Sequence, residues 1–137
     1  MTNIRQQFSE QVIDHAQNPR NVGEIQGADG FASIIGPCGD TMEIWIKVKD
    51  DRIIKCNFWT DGCRPSIACG SMVTELAIDR RTIEARRISQ DTVLQALGDL
   101  PNDHRHCALL AAETLQKAIE DYTSCSREPW KKAYRKH

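Results

Sequence analysis

Residues 41–49, Thr-Met-Glu-Ile-Trp-Ile-Lys-Val-Lys, follow a strict alternation in which every second side chain is apolar and could face a core. Successive side chains of a β-strand point to opposite faces, so an alternation with period two predicts a strand with one buried face. The apolar members of this face are Met42, Ile44, Ile46 and Val48. This strand is the clearest structural signal in the chain.

A second strand follows after a short polar loop, and it must present apolar residues to the same face. The residues available for this are Ile54, Cys56 and Phe58. This arrangement pairs Val48 with Ile54 and Ile44 with Phe58. Residues 50–52, Asp-Asp-Arg, remain as the loop, so we predict a hairpin with a three-residue connection.

Further elements are predicted on both sides of the hairpin. Residues 31–35 form a short strand candidate that ends at Gly36-Pro37, and apolar residues at helical spacing predict helices elsewhere. One predicted helix covers about residues 4–17, and a second begins just after Cys63. Two short helical pieces follow, the first capped by Thr82 and the second by Ser89 or Asp91. The last predicted helix runs from about Cys107 to Tyr122. We predict an α+β fold in which a three-stranded antiparallel sheet packs against helices in two layers. The length of 137 residues suggests a single domain spanning residues 1–137.

Composition excludes several classes of function. The formal net charge is -1, with 18 basic and 19 acidic residues, so no overall field favours nucleic acid or a membrane surface. Neither a membrane-spanning apolar run nor a signal-peptide core is visible, so we expect a cytoplasmic protein. In that compartment, six cysteines are better explained by reduced thiols and metal than by disulfides.

Three of the cysteines stand beside a turn or helix-start signal. Cys38 lies in Gly-Pro-Cys-Gly-Asp, Cys63 in Thr-Asp-Gly-Cys-Arg-Pro, and Cys107 follows His-Arg-His at the start of a helical run. Such positions can expose and stabilise a thiolate. We predict that the three cysteines form one metal site, which requires a folded core to bring the loops together.

Two neighbours of these cysteines are candidate ligands as well. Asp40 is two residues from Cys38, so its carboxylate can reach the same metal as a weak, exchangeable oxygen ligand, and His106 can supply an imidazole. Three thiolates with one oxygen or nitrogen ligand suit zinc or an iron–sulfur cluster. Cys107, at a helix start, is expected to have a lowered pKa and to be the readiest nucleophile.

The other cysteines have simpler interpretations. Cys56 and Cys69 fall on apolar faces, where cysteine acts as a small hydrophobic residue, and Cys125 is expected to be an exposed, idle thiol. Trp45 and Trp59 fall on the outward face of the hairpin, where they either pack under a helix or form an exposed patch for a partner.

Five ordered blocks of sequence resemble a known family. They are residues 8–23 (Phe-Ser-Glu-Gln-Val-Ile-Asp-His-Ala-Gln-Asn-Pro-Arg-Asn-Val-Gly), 37–42 (Pro-Cys-Gly-Asp-Thr-Met), 61–68 (Asp-Gly-Cys-Arg-Pro-Ser-Ile-Ala), 73–75 (Val-Thr-Glu) and 106–111 (His-Cys-Ala-Leu-Leu-Ala). Together they resemble the U-type iron–sulfur cluster assembly scaffolds, IscU and the amino-terminal domain of NifU. The resemblance covers residues 8 to about 121, and residues 122–137 form a carboxyl-terminal extension.

The resemblance implies a scaffold rather than an enzyme. It implies that Cys38, Cys63 and Cys107 ligate a nascent [2Fe-2S] cluster, with Asp40 and His106 in modulating and auxiliary positions. The implied partners are a cysteine desulfurase that delivers persulfide sulfur, an electron donor such as ferredoxin, apo iron–sulfur proteins, and a second copy of the chain when cluster is bound. From its expected low pKa, Cys107 would be the persulfide acceptor. Two other interpretations stay open: a zinc-binding structural or sulfur-acceptor protein with the same cysteine shell, and a cysteine enzyme with His106 as base.

The chain also departs from the family pattern. The separation of Cys63 and Cys107 lacks the long insertion of the zinc-dependent SufU branch. Where IscU proteins carry a Leu-Pro-Pro-Val-Lys motif for a specialised Hsp70, residues 100–104 read Leu-Pro-Asn-Asp-His, so an Hsp70-type chaperone is a doubtful partner.

Overall fold

A three-stranded antiparallel sheet forms one layer of the molecule, as predicted. In this computed structural model, which describes residues 8–127, the strand order is β1–β2–β3. The strands are β1 (Gly30–Ile35), β2 (Thr41–Lys49) and β3 (Arg52–Thr60). The helices in the described range are α1 (Glu10–Gln17), α2 (Arg64–Ala77), α3 (Thr82–Ala85), α4 (Gln90–Leu97) and α5 (Arg105–Arg127).

The β2–β3 hairpin has the predicted face but a different turn. Ile44 pairs with Phe58 as expected, whereas an irregularity between Lys47 and Val48 makes Val48 pair with Ile53. A bulge shifts the alternation by one residue, so Ile53 is fully buried and Ile54 is 43% exposed. The prediction that Ile54 faces the core is therefore wrong.

The predicted three-residue loop is also shorter than expected. Only Asp50 and Asp51 connect the two strands, and both have positive φ angles, 53° and 64°. Two successive left-handed residues suit a tight hairpin turn, and aspartate tolerates this conformation better than most residues. Arg52, predicted as a loop residue, is instead the first residue of β3.

Capping residues define most of the helix boundaries. Ser9 caps α1 by accepting a hydrogen bond from the Val12 N–H at 3.1 Å, and residues 4–7 of the predicted helix lie outside the described residues. Ser89 caps α4 as predicted. Thr82 is not the cap but the first residue of α3, and Arg81 occupies the N-cap position. The Thr82 hydroxyl instead donates to Asp51 Oδ1 at 2.6 Å. No helix among the described residues has both the length and the apolar character required to cross a bilayer.

The helices cover one face of the sheet and thereby complete an α+β two-layer architecture. α5 packs on β1 and β2, α2 packs on β3, and α1 lies against α2. The largest fully buried side chains on the sheet are Met42, Ile44, Ile46, Ile53 and Phe58. The core is apolar and extensive, so we expect it to hold together without a metal.

The outer face of the sheet is only partly covered. Trp45 is buried in a small second cluster with Ile25, Ala28 and Phe31, so a loop rather than a helix covers it. Trp59, farther along the same face, stays exposed. Trp59 is thus exposed, as one alternative expected, whereas the expectation of a covering helix is wrong for Trp45.

The cysteines outside the three candidate loops lie in the core. Cys56 and Cys69 are fully buried, as predicted. Cys125 is buried as well, so the expectation of an exposed thiol is wrong. The final helix continues past Tyr122 to Arg127, which places Cys125 one turn farther along its inward face.

Candidate metal centre

Three chain segments meet at one end of the sheet and bring together the predicted site cysteines. Cys38 lies in the β1–β2 turn, Cys63 is the N-cap of α2 directly after β3, and Cys107 is in the first turn of α5. Because the strands are antiparallel, the same end of the sheet contains the end of β1, the start of β2 and the end of β3. The Thr41 N–H donates to Asp61 Oδ1 at 2.7 Å, which ties the first two loops together.

Ser66, which sequence reasoning did not single out, lies at the centre of this site. Its hydroxyl oxygen is 3.1 Å from Asp40 Oδ2, 3.4 Å from Cys107 Sγ and 3.7 Å from Cys63 Sγ. A hydroxyl has one proton, so it donates to one of these acceptors at a time. The available signal was the spacing from Cys63: positions i and i+3 at a helix start lie on the same side of the helix.

His106 joins Cys38 to Cys107. Its Nε2 atom is 3.3 Å from Cys38 Sγ and 3.8 Å from Cys107 Sγ. The structure thus places all five predicted site residues in one region, with Cys38 and His106 on one side of it.

A second histidine faces the other side of the site. His104, Cys63 and Cys107 offer donor atoms that all lie within 4.8 Å of one another. His104 is part of the 3₁₀ turn Asn102–His104 that leads into α5, and its ring packs against Phe8 with centroids 5.7 Å apart. The sequence signal for its position was again an i, i+3 spacing, here to Cys107.

The environment of Cys107 differs from the expected one. The residue is 1% exposed, whereas Cys38 and Cys63 are exposed to solvent. Burial raises the pKa of the Cys107 thiol to about 11, and the Ser66 hydrogen bond only partly opposes this. The negative charges that Cys63 and Asp40 can carry also contribute to this rise. The expectation of an exposed, low-pKa thiol is wrong, because the Cys107 side chain lies in the core, where burial disfavours the thiolate.

Asp40 has one carboxylate oxygen without a partner. Oδ2 accepts from Ser66, but the buried Oδ1 has no hydrogen bond among the described residues. A Cβ atom at position 62 would lie 2.7 Å from Asp40 Oδ2, so Gly62 makes room for this carboxylate. A buried, unsatisfied anion is costly, and a cation bound in the site would relieve that cost.

The donor set fits a thiophilic metal. Three thiols, two imidazoles and one carboxylate surround the site at Cys38, Cys63, Cys107, His104, His106 and Asp40. Thiolate and imidazole ligands suit zinc and iron–sulfur centres, and they do not suit magnesium or calcium.

Comparison with known proteins agrees with this chemistry. The profile of the family described as NifU-like N terminal domain matches residues 7–128. An Archaeoglobus fulgidus protein named "Iron-sulfur cluster assembly scaffold protein IscU 1" is 51% identical over 116 residues, which cover 84% of this chain and 76% of that one. The Escherichia coli K12 protein "Iron-sulfur cluster assembly scaffold protein IscU" is 41% identical over 122 residues, covering 85% and 94%.

A solved structure is similar in fold. It is the amino-terminal region of a NifU-like protein from Brucella abortus, with a TM-score of 0.69 and 18% identity, covering 88% of this chain and 97% of that one. At that identity the similarity concerns the backbone arrangement alone.

Proposed function

This chain belongs to the NifU-like N-terminal domain family as an IscU-type iron–sulfur cluster assembly scaffold, and we propose on that premise that it builds a [2Fe-2S] cluster. We propose that Cys38, Cys63 and Cys107 hold the cluster and that Asp40 or His106 completes the shell. The cluster is cargo, assembled here and then transferred to apo-proteins.

The observation that carries this proposal is the orphaned carboxylate oxygen of Asp40 among three thiols. A [2Fe-2S] cluster takes four protein ligands, most often thiolates. The site offers three thiols, and Asp40 Oδ1 is a buried oxygen with no other partner in the described range. A hard oxygen ligand binds iron less persistently than a thiolate, which suits a cluster that must leave.

Sulfur delivery requires Cys107 to become accessible. In the proposed step the Cys107 thiolate attacks the outer sulfur of a desulfurase persulfide. A new S–S bond forms on Cys107 while the donor S–S bond breaks and the desulfurase thiolate departs. Two electrons from a donor such as a ferredoxin then reduce the persulfide to thiolate and sulfide. Because Cys107 is 1% exposed, the first turn of α5 must move away from the site before this attack.

The proposed partners follow from this sequence of steps. They are a cysteine desulfurase, an electron donor and apo iron–sulfur proteins, with a second copy of the chain when cluster is bound. An Hsp70-type chaperone stays a doubtful partner.

Two alternative functions, a cysteine enzyme and a zinc-binding protein, can be weighed against this proposal. An enzyme with Cys107 as nucleophile and His106 as base is disfavoured, because the similar proteins are named as assembly scaffolds. A zinc protein is the stronger alternative, because thiolate and imidazole ligands bind zinc as well as iron.

Anaerobic reconstitution separates the cluster from zinc. The metal-free chain is incubated with ferrous iron, cysteine, a cysteine desulfurase and a reductant such as reduced ferredoxin or dithiothreitol, and absorption, iron and acid-labile sulfide are measured. We expect visible charge-transfer bands and equal amounts of iron and sulfide.

Cys56→Ala is the matched control, because Cys56 is a fully buried cysteine on the sheet, outside the site. We expect this variant to bind as much cluster as the parent, and we expect the same of Cys69→Ala. A parent chain that acquires no acid-labile sulfide under these conditions would refute the proposal.

A further inference from the structure

We propose that Ser66 restricts Asp40 to binding the cluster through one carboxylate oxygen and thereby speeds the release of cluster from this site. The inference deepens the proposed function, and it rests on that function for the identity of the cargo. In this role Ser66 binds no metal and acts through Asp40, so it is a positioning residue. It is not among the residues that the sequence identified as ligands.

The two carboxylate oxygens of Asp40 have different surroundings. Oδ2 accepts a hydrogen bond from the Ser66 hydroxyl at 3.1 Å, whereas the buried Oδ1 has no hydrogen-bond partner among the described residues. Both oxygens of a carboxylate are acceptors, and a cation competes with a hydrogen-bond donor for the same lone pairs. Oδ1 is therefore the oxygen that is free to bind iron, while Oδ2 is engaged.

Two glycines leave room for this carboxylate and its hydrogen bond. A Cβ atom at position 36 would lie 3.2 Å from Asp40 Oδ1, and one at position 62 would lie 2.7 Å from Asp40 Oδ2. The same Cβ atom at position 62 would be 2.8 Å from the Ser66 hydroxyl oxygen. A side chain at position 62 would thus push both partners apart, so Gly62 preserves the contact between Asp40 and Ser66.

The Ser66 hydroxyl has three acceptors within reach, and the carboxylate is the strongest of them. Cys107 Sγ and Cys63 Sγ are farther away, at 3.4 Å and 3.7 Å, and a thiol sulfur is a weak acceptor. Hydrogen bonds to an ionised acceptor are roughly twice as strong as those between neutral groups. While the two thiols are protonated, Ser66 therefore donates its one proton to Asp40.

This hydrogen bond should determine how Asp40 binds iron. Carboxylates bind metals through one oxygen or through both, and hydrogen bonds to a ligating carboxylate fix its orientation. A donor on Oδ2 leaves Oδ1 as the single ligand atom. One metal–oxygen bond breaks in one step, whereas a two-oxygen chelate must lose both. Without the Ser66 hydroxyl, Asp40 should therefore become a ligand that dissociates more slowly.

Infrared spectroscopy of the cluster-loaded parent chain tests the binding mode directly. The antisymmetric and symmetric stretches of a carboxylate are widely separated in one-oxygen binding and closer together in two-oxygen binding. Aspartate carboxyl groups are labelled with ¹³C, and the Asp40 bands are those absent from Asp40→Ala in the loaded-minus-metal-free spectrum. We expect wide separation in the parent and narrow separation in Ser66→Ala. Narrow separation in the parent, or Asp40 bands that do not change on loading, would overturn the proposal.

Cluster transfer to an apo-ferredoxin measures the consequence. Ser66→Ala should transfer cluster several-fold more slowly than the parent, because a second oxygen must dissociate. In an Asp40→Ala chain the same change should have no further effect, since the residue through which Ser66 acts is absent. Unchanged transfer by Ser66→Ala, or equal slowing in both backgrounds, would also overturn the proposal.

Ser71→Ala is the matched control, because it removes another fully buried hydroxyl from α2, where Ser71 contacts His15 outside the site. We expect this variant to transfer cluster at the parent rate, and slowing equal to that of Ser66→Ala would count against a specific role of Ser66. Circular dichroism shows whether each variant is folded. The infrared spectrum of the parent decides the matter if Ser66→Ala is not.

Failure of this inference is distinguishable from failure of the proposed function. A parent chain that acquires cluster but binds it through both Asp40 oxygens removes the role of Ser66 and leaves the scaffold function intact. A parent chain that acquires no acid-labile sulfide removes both.

Discussion

The three site cysteines share a loop-rich end of the molecule but not an environment. Cys38 and Cys63 are exposed, whereas Cys107 is buried beside Ser66. Thiolate, not thiol, is the reacting form, so reactivity follows both exposure and pKa. A helix start alone suggests that Cys107 is the most reactive of the three thiols. In the metal-free chain we expect the opposite, with Cys107 the least reactive.

We expect iodoacetamide to modify Cys38 and Cys63 well before Cys107 in the metal-free chain. With a pKa of about 11, Cys107 is thiolate in only about one molecule per thousand at pH 8. Its modification rate should rise with pH until the pH passes that value. Peptide mass spectrometry at several pH values measures all three sites, with buried Cys56 as the unreactive control. Equal rates for Cys107 and Cys38 would contradict this environment.

Asp40 should control how readily cluster leaves. Replacing it by Ala removes the exchangeable oxygen and a negative charge beside the thiolates, so we expect cluster transfer to an apo-ferredoxin to slow several-fold. Asp40→Asn is the matched variant, because it keeps the size of the side chain while removing its charge. Transfer from Asp40→Ala that is faster than from the parent would show that this role is wrong.

At the scale of elements, helices α1 and α2 are joined by a buried polar contact. His15 on α1 lies 2.7 Å from the Ser71 hydroxyl through Nδ1 and 3.3 Å from Glu75 Oε1 through Nε2. Burial lowers the pKa of His15, and the nearby Arg20 charge lowers it further, although Glu75 opposes both. The folded chain therefore holds this imidazole neutral more strongly than the unfolded chain does.

This contact should make the helix pair weaken in acid. Below the unfolded pKa of about 6.5, the unfolded chain binds a proton at His15 that the folded chain binds only at lower pH. The free energy of unfolding should fall as pH drops from about 6.5 to the lowered folded pKa, with a slope of at most about 1.4 kcal/mol per pH unit. Above that window His15 contributes no pH dependence.

Urea unfolding between pH 7.5 and 5 measures this slope in the parent and in His15→Gln. The other histidines are common to both chains, so the difference between the two slopes isolates His15. We expect a shallower dependence in the variant, and identical slopes would rule out the buried histidine as their source.

At the scale of the whole molecule, the site and the core are separable. The core is formed mainly by apolar side chains of the sheet, α2, α4 and α5, whereas the candidate metal ligands lie in loops and first helical turns at one end. Among these described candidates, Cys107 alone also belongs to the core. A fold held by its core should survive loss of the ligands, unlike a small zinc-dependent module.

Cys38→Ser and Cys63→Ser should thus abolish stable cluster while leaving the metal-free fold intact. Cys63 is the N-cap of α2 without a side-chain capping bond, and serine is a favoured capping residue. Cys63→Ser should therefore be at least as stable as the parent, by up to about 1 kcal/mol. Circular dichroism and thermal unfolding of the metal-free variants check this, and loss of cooperative unfolding in Cys63→Ser would contradict a metal-independent core.

The sequence by itself determined the elements and the loops that carry the cysteines. Alternation identified β2, Ser89 marked the start of α4 as a capping residue, and turn residues marked the segments around Cys38 and Cys63. These signals are local, since each depends on residues within a turn or two of the chain. Local signals of this kind identified the three cysteine segments that were expected to converge. They could not show how the side chains of these segments would be arranged in the folded chain.

Tertiary structure alone decided burial, pairing and proximity. The bulge that buries Ile53 depends on the partner strand, and the raised pKa of Cys107 depends on the elements that cover it. The positions of Ser66 and His104 in the site likewise result from three segments far apart in sequence. Desolvation and the distances between charges depend on which segments pack around a residue in the folded chain. Periodicity along the chain therefore cannot reveal them before the segments are packed.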